Sequence, residues 1–130
     1  MTIEDLKKKF IVDENVVKNR LEAVLEKALV HCVVDKQGTV HINDGKLGAK
    51  SKVKLVLSAR YLASQLTEGI SQVVTPADVT KSAGVPANQA RARLADLVNE
   101  KFAESPQNGN FRVLAHKIEP FLDSLKKSSE

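Results

Sequence analysis

The second half of the chain places its apolar residues at the spacing of a helix. Between Val53 and Leu66 they recur at i, i+3, i+4 and i+7, which predicts an amphipathic helix that ends before Gly69. The residues on its apolar side are Leu55, Val56, Ala59, Leu62, Ala63 and Leu66.

Two further helices are predicted after Thr75. In the run Thr75–Asp78 the threonine is a helix cap, the proline fits the first turn, and Asp78 stands where the acid of a capping box would. This helix is expected to stop at Gly84, which can adopt the left-handed backbone of a tight turn. With Val85 buried in the turn, a third helix is predicted over Pro86–Phe102. Its inward residues are expected to be Ala90, Leu94, Leu97, Val98 and either the stem of Lys101 or Phe102.

A β-hairpin and a last helix are predicted at the C-terminal end. The pair Asn108–Gly109 lies between two short strand-like runs, which is a strong hairpin signal. After it, four apolar residues at helical spacing predict a short amphipathic helix around Pro120, which packs either on a partner subunit or on its own domain. These four are Ile118, Phe121, Leu122 and Leu125, and residues 126–130 are expected to fray.

This order of elements resembles the helix–turn–helix core of winged-helix regulators from bacteria and archaea. The resemblance covers roughly residues 53–115 and rests on the turn Gly84, on Val85 and Ala90, and on the Leu94/Leu97 pair. It implies a mainly α fold with short β-hairpins (α+β), namely a winged helix–turn–helix domain over 53–125. It also implies a DNA-binding transcriptional regulator.

The N-terminal residues 1–44 form a weaker copy of the same pattern. Thr2, Asp5 and Lys8 recur as Thr75, Asp78 and Lys81, and a hairpin follows with predicted strands 29–34 and 39–42. We interpret the copy as a second, tandem helix–turn–helix-like unit, the alternative being that any two capped helix pairs look alike. Its acids at 13 and 14 oppose phosphate and its hairpin is apolar on both faces, so a role in packing or dimerisation is expected. Residues 45–52, with two glycines, are predicted to be a linker.

The predicted DNA contacts lie on the third helix and on the hairpin. In such a fold the third helix enters the major groove, where Asn and Gln can pair with adenine and Arg with guanine. The hairpin around Asn108–Arg112 is expected to contact phosphate or the minor groove, and the supporting helices are expected to add phosphate contacts. The predicted contact residues are Asn88, Gln89, Arg91, Ala92, Lys81, Arg60, Asn108, Asn110 and Arg112.

Charge favours the same half of the chain. Residues 1–44 carry seven Lys/Arg against eight Asp/Glu, whereas residues 45–130 carry thirteen against eight. The basic excess therefore coincides with the motif, as attraction to phosphate requires. An exposed helix with Asn, Gln and Arg is nevertheless also typical of a merely solvated face, and Asp96 and Glu100 would repel phosphate if they faced it.

Other functional classes find little support in the sequence. His31, His41 and His116 are scattered, no spacing completes a metal site, and no catalytic constellation or cofactor loop stands out, so neither a metal, a cofactor nor catalysis is expected. The single Cys32 and the short apolar runs favour a reducing, cytoplasmic location without a membrane span. Double-stranded DNA and a homodimer are the expected partners. The alternative is a winged-helix module that binds protein in a transcription or replication assembly, and RNA is a weaker option.

Overall fold

Six helices and two antiparallel β-hairpins make up the part of the chain that the computed structural model describes, which is residues 2–10, 20–43 and 45–128. The fold class is therefore α+β, as predicted. In chain order the elements are α1 (Ile3–Phe10), α2 (Leu21–Leu29), β1 (Cys32–Val34), β2 (Val40–Ile42), α3 (Ala49–Leu66), α4 (Pro76–Ala83), α5 (Ala87–Asn99), β3 (Ala103–Gln107), β4 (Asn110–Val113), a 3₁₀ turn (Ala115–Lys117) and α6 (Ile118–Ser128).

One hydrophobic core joins the two halves of the chain. The central element is α3, which is apolar on most sides and buries eight of its residues, as a helix enclosed by other elements must. Fully buried side chains come from α2 and β2 as well as from α5 and α6, for example Val24, Val40, Leu94 and Ile118. The hairpin β1–β2 is also bonded to α4, since the amide of Val40 donates to Ser82 Oγ (3.0 Å). The predicted units 1–44 and 53–125 thus share a core.

The start and the end of α4 have the predicted chemistry. Thr75 Oγ1 accepts from the amide of Asp78 (3.2 Å), and Asp78 Oδ2 accepts from the amide of Thr75 (3.0 Å), which completes a capping box. Gly84 ends the helix with a φ of 72°, in the left-handed region that favours glycine. Both predictions are confirmed, as is the burial of Val85 and Ala90.

Three boundaries differ from the sequence-based expectation. Helix α3 begins at Ala49 and includes the second half of the predicted linker 45–52. Helix α5 ends at Asn99 because Lys101 has a φ of 65° and turns Phe102 into the core, so the inward side chain is Phe102 and not the stem of Lys101. Strand β1 starts at Cys32, because the apolar residues before it have helical spacing and extend α2 to Leu29. The predicted strand over 29–31 is therefore wrong.

Residues 11–19 would hold most of the second helix of the N-terminal unit, and this prediction lies outside the described residues. The acids at 13 and 14 are among them. The structure likewise describes helix α6 as far as Ser128, so the predicted frayed tail overlaps its last turn and continues into residues 129 and 130, which are not described.

Helix α6 packs on its own chain. Its predicted apolar residues Ile118, Phe121, Leu122 and Leu125 are all buried. Glu119 accepts from Arg20 Nε (2.8 Å) and forms an ion pair with Lys27 (2.7 Å), which also pairs with Asp123 (2.8 Å). These cations lower the pKa of Glu119 to about 2, the hydrogen bond from Arg20 having the largest effect. The ion-pair cluster therefore holds α6 against α2.

Candidate nucleic-acid interface

Helix α5 exposes one continuous polar ridge. Burial of Ala90, Leu94 and Leu97 fixes the rotation of the helix about its axis. Side chains on the opposite side then recur at i, i+3, i+4, i+7 and i+11 from Asn88 and lie one above another. We call this set the α5 ridge; it comprises Asn88, Arg91, Ala92, Ala95 and Asn99, all exposed.

Two carboxylates, that of Asp96 on α5 and that of Glu100 just after its end, lie beside the ridge and are engaged with cations. Asp96 pairs with Arg93 (Oδ2–Nε 3.0 Å), three residues earlier on the same helix. Glu100 pairs with Lys50 from α3, and this contact lowers the pKa of Glu100. The ridge itself therefore has a cation and no carboxylate among its described residues. Gln89, a predicted contact, is exposed on the flank with Asp96 rather than on the ridge.

The hairpin β3–β4 carries the second group of predicted contacts. Its turn is Asn108–Gly109, where Asn108 is exposed and the glycine has a φ of 84°. Asn110 Nδ2 donates to Gln107 Oε1 (3.3 Å), and its backbone oxygen accepts from Ser105 Oγ (2.8 Å). The predicted turn and strands of this hairpin are confirmed.

Arg112 is partly engaged within the hairpin. It lies opposite Glu104 in the register of β3 and β4, and its Nε donates to Glu104 Oε1 (2.6 Å). Its side chain remains 38% exposed. A carboxylate thus lies beside the cation that was expected to contact the DNA backbone.

Backbone hydrogen bonds connect the hairpin to the start of α4. The amide of Val74 donates to Phe111 O (2.7 Å), and the amide of Phe111 donates to Val74 O (2.9 Å). The segment before α4 therefore runs antiparallel to β4, on the side of β4 away from β3. This pairing fixes the hairpin relative to helices α4 and α5.

Arg60 is not placed as a phosphate contact. Its guanidinium is only 12% exposed and donates to Ser71 O (2.9 Å) and Val73 O (3.1 Å), with Asp78 at 3.7 Å. It also lies against Gly38 in the turn between β1 and β2. We therefore correct this prediction: Arg60 is a structural residue that joins α3, α4 and the N-terminal hairpin. Lys81 on α4, by contrast, is exposed.

Sequence reasoning missed part of the ridge and one neighbouring cation. Ala95 and Asn99 continue the helical spacing from Ala92, and this signal was available in the sequence. A buried stem of Lys101 is one of the two alternatives that the sequence leaves open, but Lys101 is exposed where the chain leaves α5. Its left-handed backbone, which moves the side chain outward, has no clear signature for a lysine in sequence.

The histidines are not brought together. His31 is buried, and His41 pairs with Asp35 (2.9 Å) in the N-terminal hairpin, where this contact lowers the pKa of the aspartate. Among the described residues no cluster of three His, Cys, Asp or Glu side chains could hold a metal ion.

No described helix has both the length and the apolar character needed to cross a membrane. Comparisons with protein-family models, curated proteins and solved structures find no match for the chain.

Proposed function

We propose that the chain is a winged-helix protein that binds double-stranded DNA and acts as a transcriptional regulator. The observation that carries the proposal is the α5 ridge, an exposed helix side with amide and guanidinium groups, small alanines and no carboxylate. Asn and Arg can pair with base edges in the major groove, and Ala92 and Ala95 allow the helix to approach closely.

The surroundings of α5 support the proposal. Helix α3, the strand-like segment at Val74, helices α4 and α5, and the hairpin β3–β4 follow one another in the order of a winged helix. The first residues of α5 after the turn at Gly84 are exposed, and the hairpin β3–β4 follows the end of the helix. The exposed Lys81 and Lys101 add positive charge next to these elements.

The alternative interpretation is that α5 is merely a solvated polar helix. That interpretation does not predict that the acids are kept away from the exposed ridge. On α5 the carboxylate of Asp96 stands on a flank with Arg93, and the ridge is left with Arg91. Glu100, after the end of the helix, pairs with Lys50 of α3. Attraction to phosphate favours this arrangement, since an acid on the ridge would repel the duplex. We therefore favour a DNA-binding surface over a merely solvated one.

Fluorescence anisotropy on a labelled random-sequence duplex at low salt tests the proposal. We expect the wild-type protein to bind, and the affinity to fall steeply as the salt concentration rises because phosphate contacts release counterions. Arg91→Ala is expected to weaken binding about tenfold. Arg93→Ala is the matched control, because Arg93 is half-buried and paired with Asp96, and it should change affinity by less than about twofold.

The proposal fails if the folded wild-type protein shows no binding at low salt, or if the two arginine variants weaken binding equally. Absence of binding would favour the alternative, a winged-helix module that binds protein. Circular dichroism of each variant verifies that it is folded.

A further inference from the structure

An apolar groove lies on a different part of the molecule from the α5 ridge. It has a volume of about 300 Å³ and is formed by α2, β1 and the C-terminal half of α3. No charged side chain is among the described residues that line it. Its rim exposes Leu29, Val33 and Leu66, and the neighbouring Val30 is exposed as well. Clusters of exposed apolar side chains are uncommon on monomeric proteins and usually mark a binding surface.

Helix α1 presents a second apolar surface. Ile3 is 82% exposed and Leu6 is 49% exposed, and the two lie three residues apart on one side of the helix. The N-terminus of α1 is held by its own cap, in which the amide of Asp5 donates to Thr2 Oγ1 (3.2 Å). This local cap defines the start of the helix, while Ile3 and Leu6 remain exposed.

We propose that the chain forms a two-fold symmetric dimer in which α1 of each copy lies in the apolar groove of the other. The six large hydrophobic residues that the described chain exposes lie on α1, on the rim of the groove or, in the case of Val30, next to that rim. The described lining of the groove is uncharged, and Ile3 and Leu6 supply the apolar contact from α1. An exchange of this kind covers the same patches on both copies, as a two-fold interface requires.

The exposed apolar area of each chain is large enough for such a dimer. From their exposed fractions, the six residues offer on the order of 600 Å² per chain, so the pair of copies would bury about 1,200 Å² from them alone. This value is at the lower end of stable interfaces, before any polar rim is counted. An interface of this size is expected to be reversible, so that monomer and dimer exchange with protein concentration.

The exposure of α1 and the burial of α6 within one chain favour a second copy of the chain as the occupant of the groove. Helix α1 leaves Ile3 and Leu6 exposed, although the groove is in the same molecule. Helix α6, the other element that sequence suggests for dimerisation, has its apolar side buried against its own chain. The proposal is independent of DNA binding, because the groove and α1 share no residue with the α5 ridge or with β3–β4.

Sedimentation velocity of the full chain over about 5–200 µM tests the dimer. We expect a concentration-dependent shift from monomer to dimer. Leu6→Glu on α1 and Leu66→Glu on the groove rim should each raise the dimer dissociation constant about a hundredfold or more, because each dimer loses the apolar contact twice. Ala77→Glu, an exposed position on α4 with the same added charge, is the matched control and should dimerise like the wild type.

An equimolar mixture of the two leucine variants distinguishes exchange between copies from docking within one chain. In the mixed dimer the intact α1 of the Leu66→Glu chain meets the intact groove of the Leu6→Glu chain. One of the two contacts between α1 and a groove is therefore restored. We expect the mixture to associate where neither variant does alone. A wild-type chain that stays monomeric throughout, a dimer that Leu6→Glu leaves unchanged, or a mixture that remains monomeric would each overturn the proposal. Leu6 is half-exposed and lies outside the described hydrophobic core, so its variant is informative even if Leu66→Glu fails to fold.

Discussion

Val74 and Phe111 hydrogen-bond to each other through both of their backbone amides, at 2.7 and 2.9 Å, although they are separated by helices α4 and α5 in the sequence. This pairing links the segment before α4 directly to β4, so that α4, α5 and the hairpin are connected at both ends. It places the hairpin turn at Asn108 and the exposed side of α5 on a common rigid support. The proposed interface depends on that support, because contacts from two elements contribute together only when their relative position is fixed.

Substitution of Arg60 is expected to lower stability, whereas substitution of Lys81 is expected to lower DNA affinity. Arg60→Ala removes the donor to two backbone carbonyl oxygens, and we expect it to lower the free energy of unfolding by about 2–3 kcal/mol without weakening DNA binding of the folded protein. Lys81→Ala should leave stability within about 0.5 kcal/mol and weaken DNA binding about threefold. Urea denaturation and anisotropy measure the two quantities, and weaker DNA binding by folded Arg60→Ala would contradict the structural role assigned to it.

Glu104 is expected to limit DNA affinity. Its carboxylate accepts from Arg112 (2.6 Å) and places a negative charge beside the proposed path of the DNA backbone. Glu104→Gln keeps an oxygen for Arg112 but removes the charge, so we expect DNA affinity to rise about threefold to fivefold at low salt and the gain to shrink at higher salt. Stability should change little, because an exposed ion pair contributes about 0–1 kcal/mol.

The control for Glu104 is Glu22→Gln. It makes the same change of net charge on α2, away from the hairpin, and its effect on DNA affinity should be smaller than that of Glu104→Gln. Equal gains from both variants would show that only the net charge matters, and they would exclude a specific place for the hairpin at the duplex.

The ion-pair cluster between α2 and α6 predicts a pH dependence of stability. Arg20 and Lys27 lower the pKa of Glu119 from 4.5 to about 2 in the folded protein. A carboxylate with a lowered folded pKa stabilises the protein fully above about pH 5, and the contribution disappears as the pH falls toward 2. We expect Glu119→Gln to be less stable than the wild type by about 1–2 kcal/mol at pH 6, and the two to converge near pH 2.

Urea denaturation of both proteins from pH 6 down to pH 2 measures this dependence. A constant difference between the two curves over that range would contradict the account, since it would mean that the charge of Glu119 contributes nothing. Glu22→Gln, which changes an exposed acid on α2 outside the ion-pair cluster, should follow the wild-type curve.

The sequence predicts the local features of this fold well, because they depend on neighbouring residues. The capping box at Thr75, the turn at Gly84 and the buried row of Ala90, Leu94 and Leu97 follow from residue type and spacing alone. The hairpin turn at Asn108–Gly109 follows from the backbone conformations that these residues favour.

What the sequence does not predict are relationships between distant segments. The guanidinium of Arg60 resembles that of any exposed basic residue until the carbonyl oxygens of Ser71 and Val73 are brought to it. The end of α5 is similar: the helical period continues to Phe102, but the backbone of Lys101 turns left-handed so that the ring can enter the core. In the same way residues 29–34 are predicted as one strand, but the helix α2 continues to Leu29 and the strand begins only at Cys32.

Chemical-shift mapping of the ¹⁵N-labelled protein during titration with duplex DNA at low salt tests the central claim most directly. We predict that the largest amide shifts occur at residues 88–92 of α5 and around Asn108–Arg112, while α2 and the apolar groove change little. No shifts at excess duplex, or shifts confined to α1, α2 and the groove, would contradict a DNA interface on the α5 ridge and the hairpin.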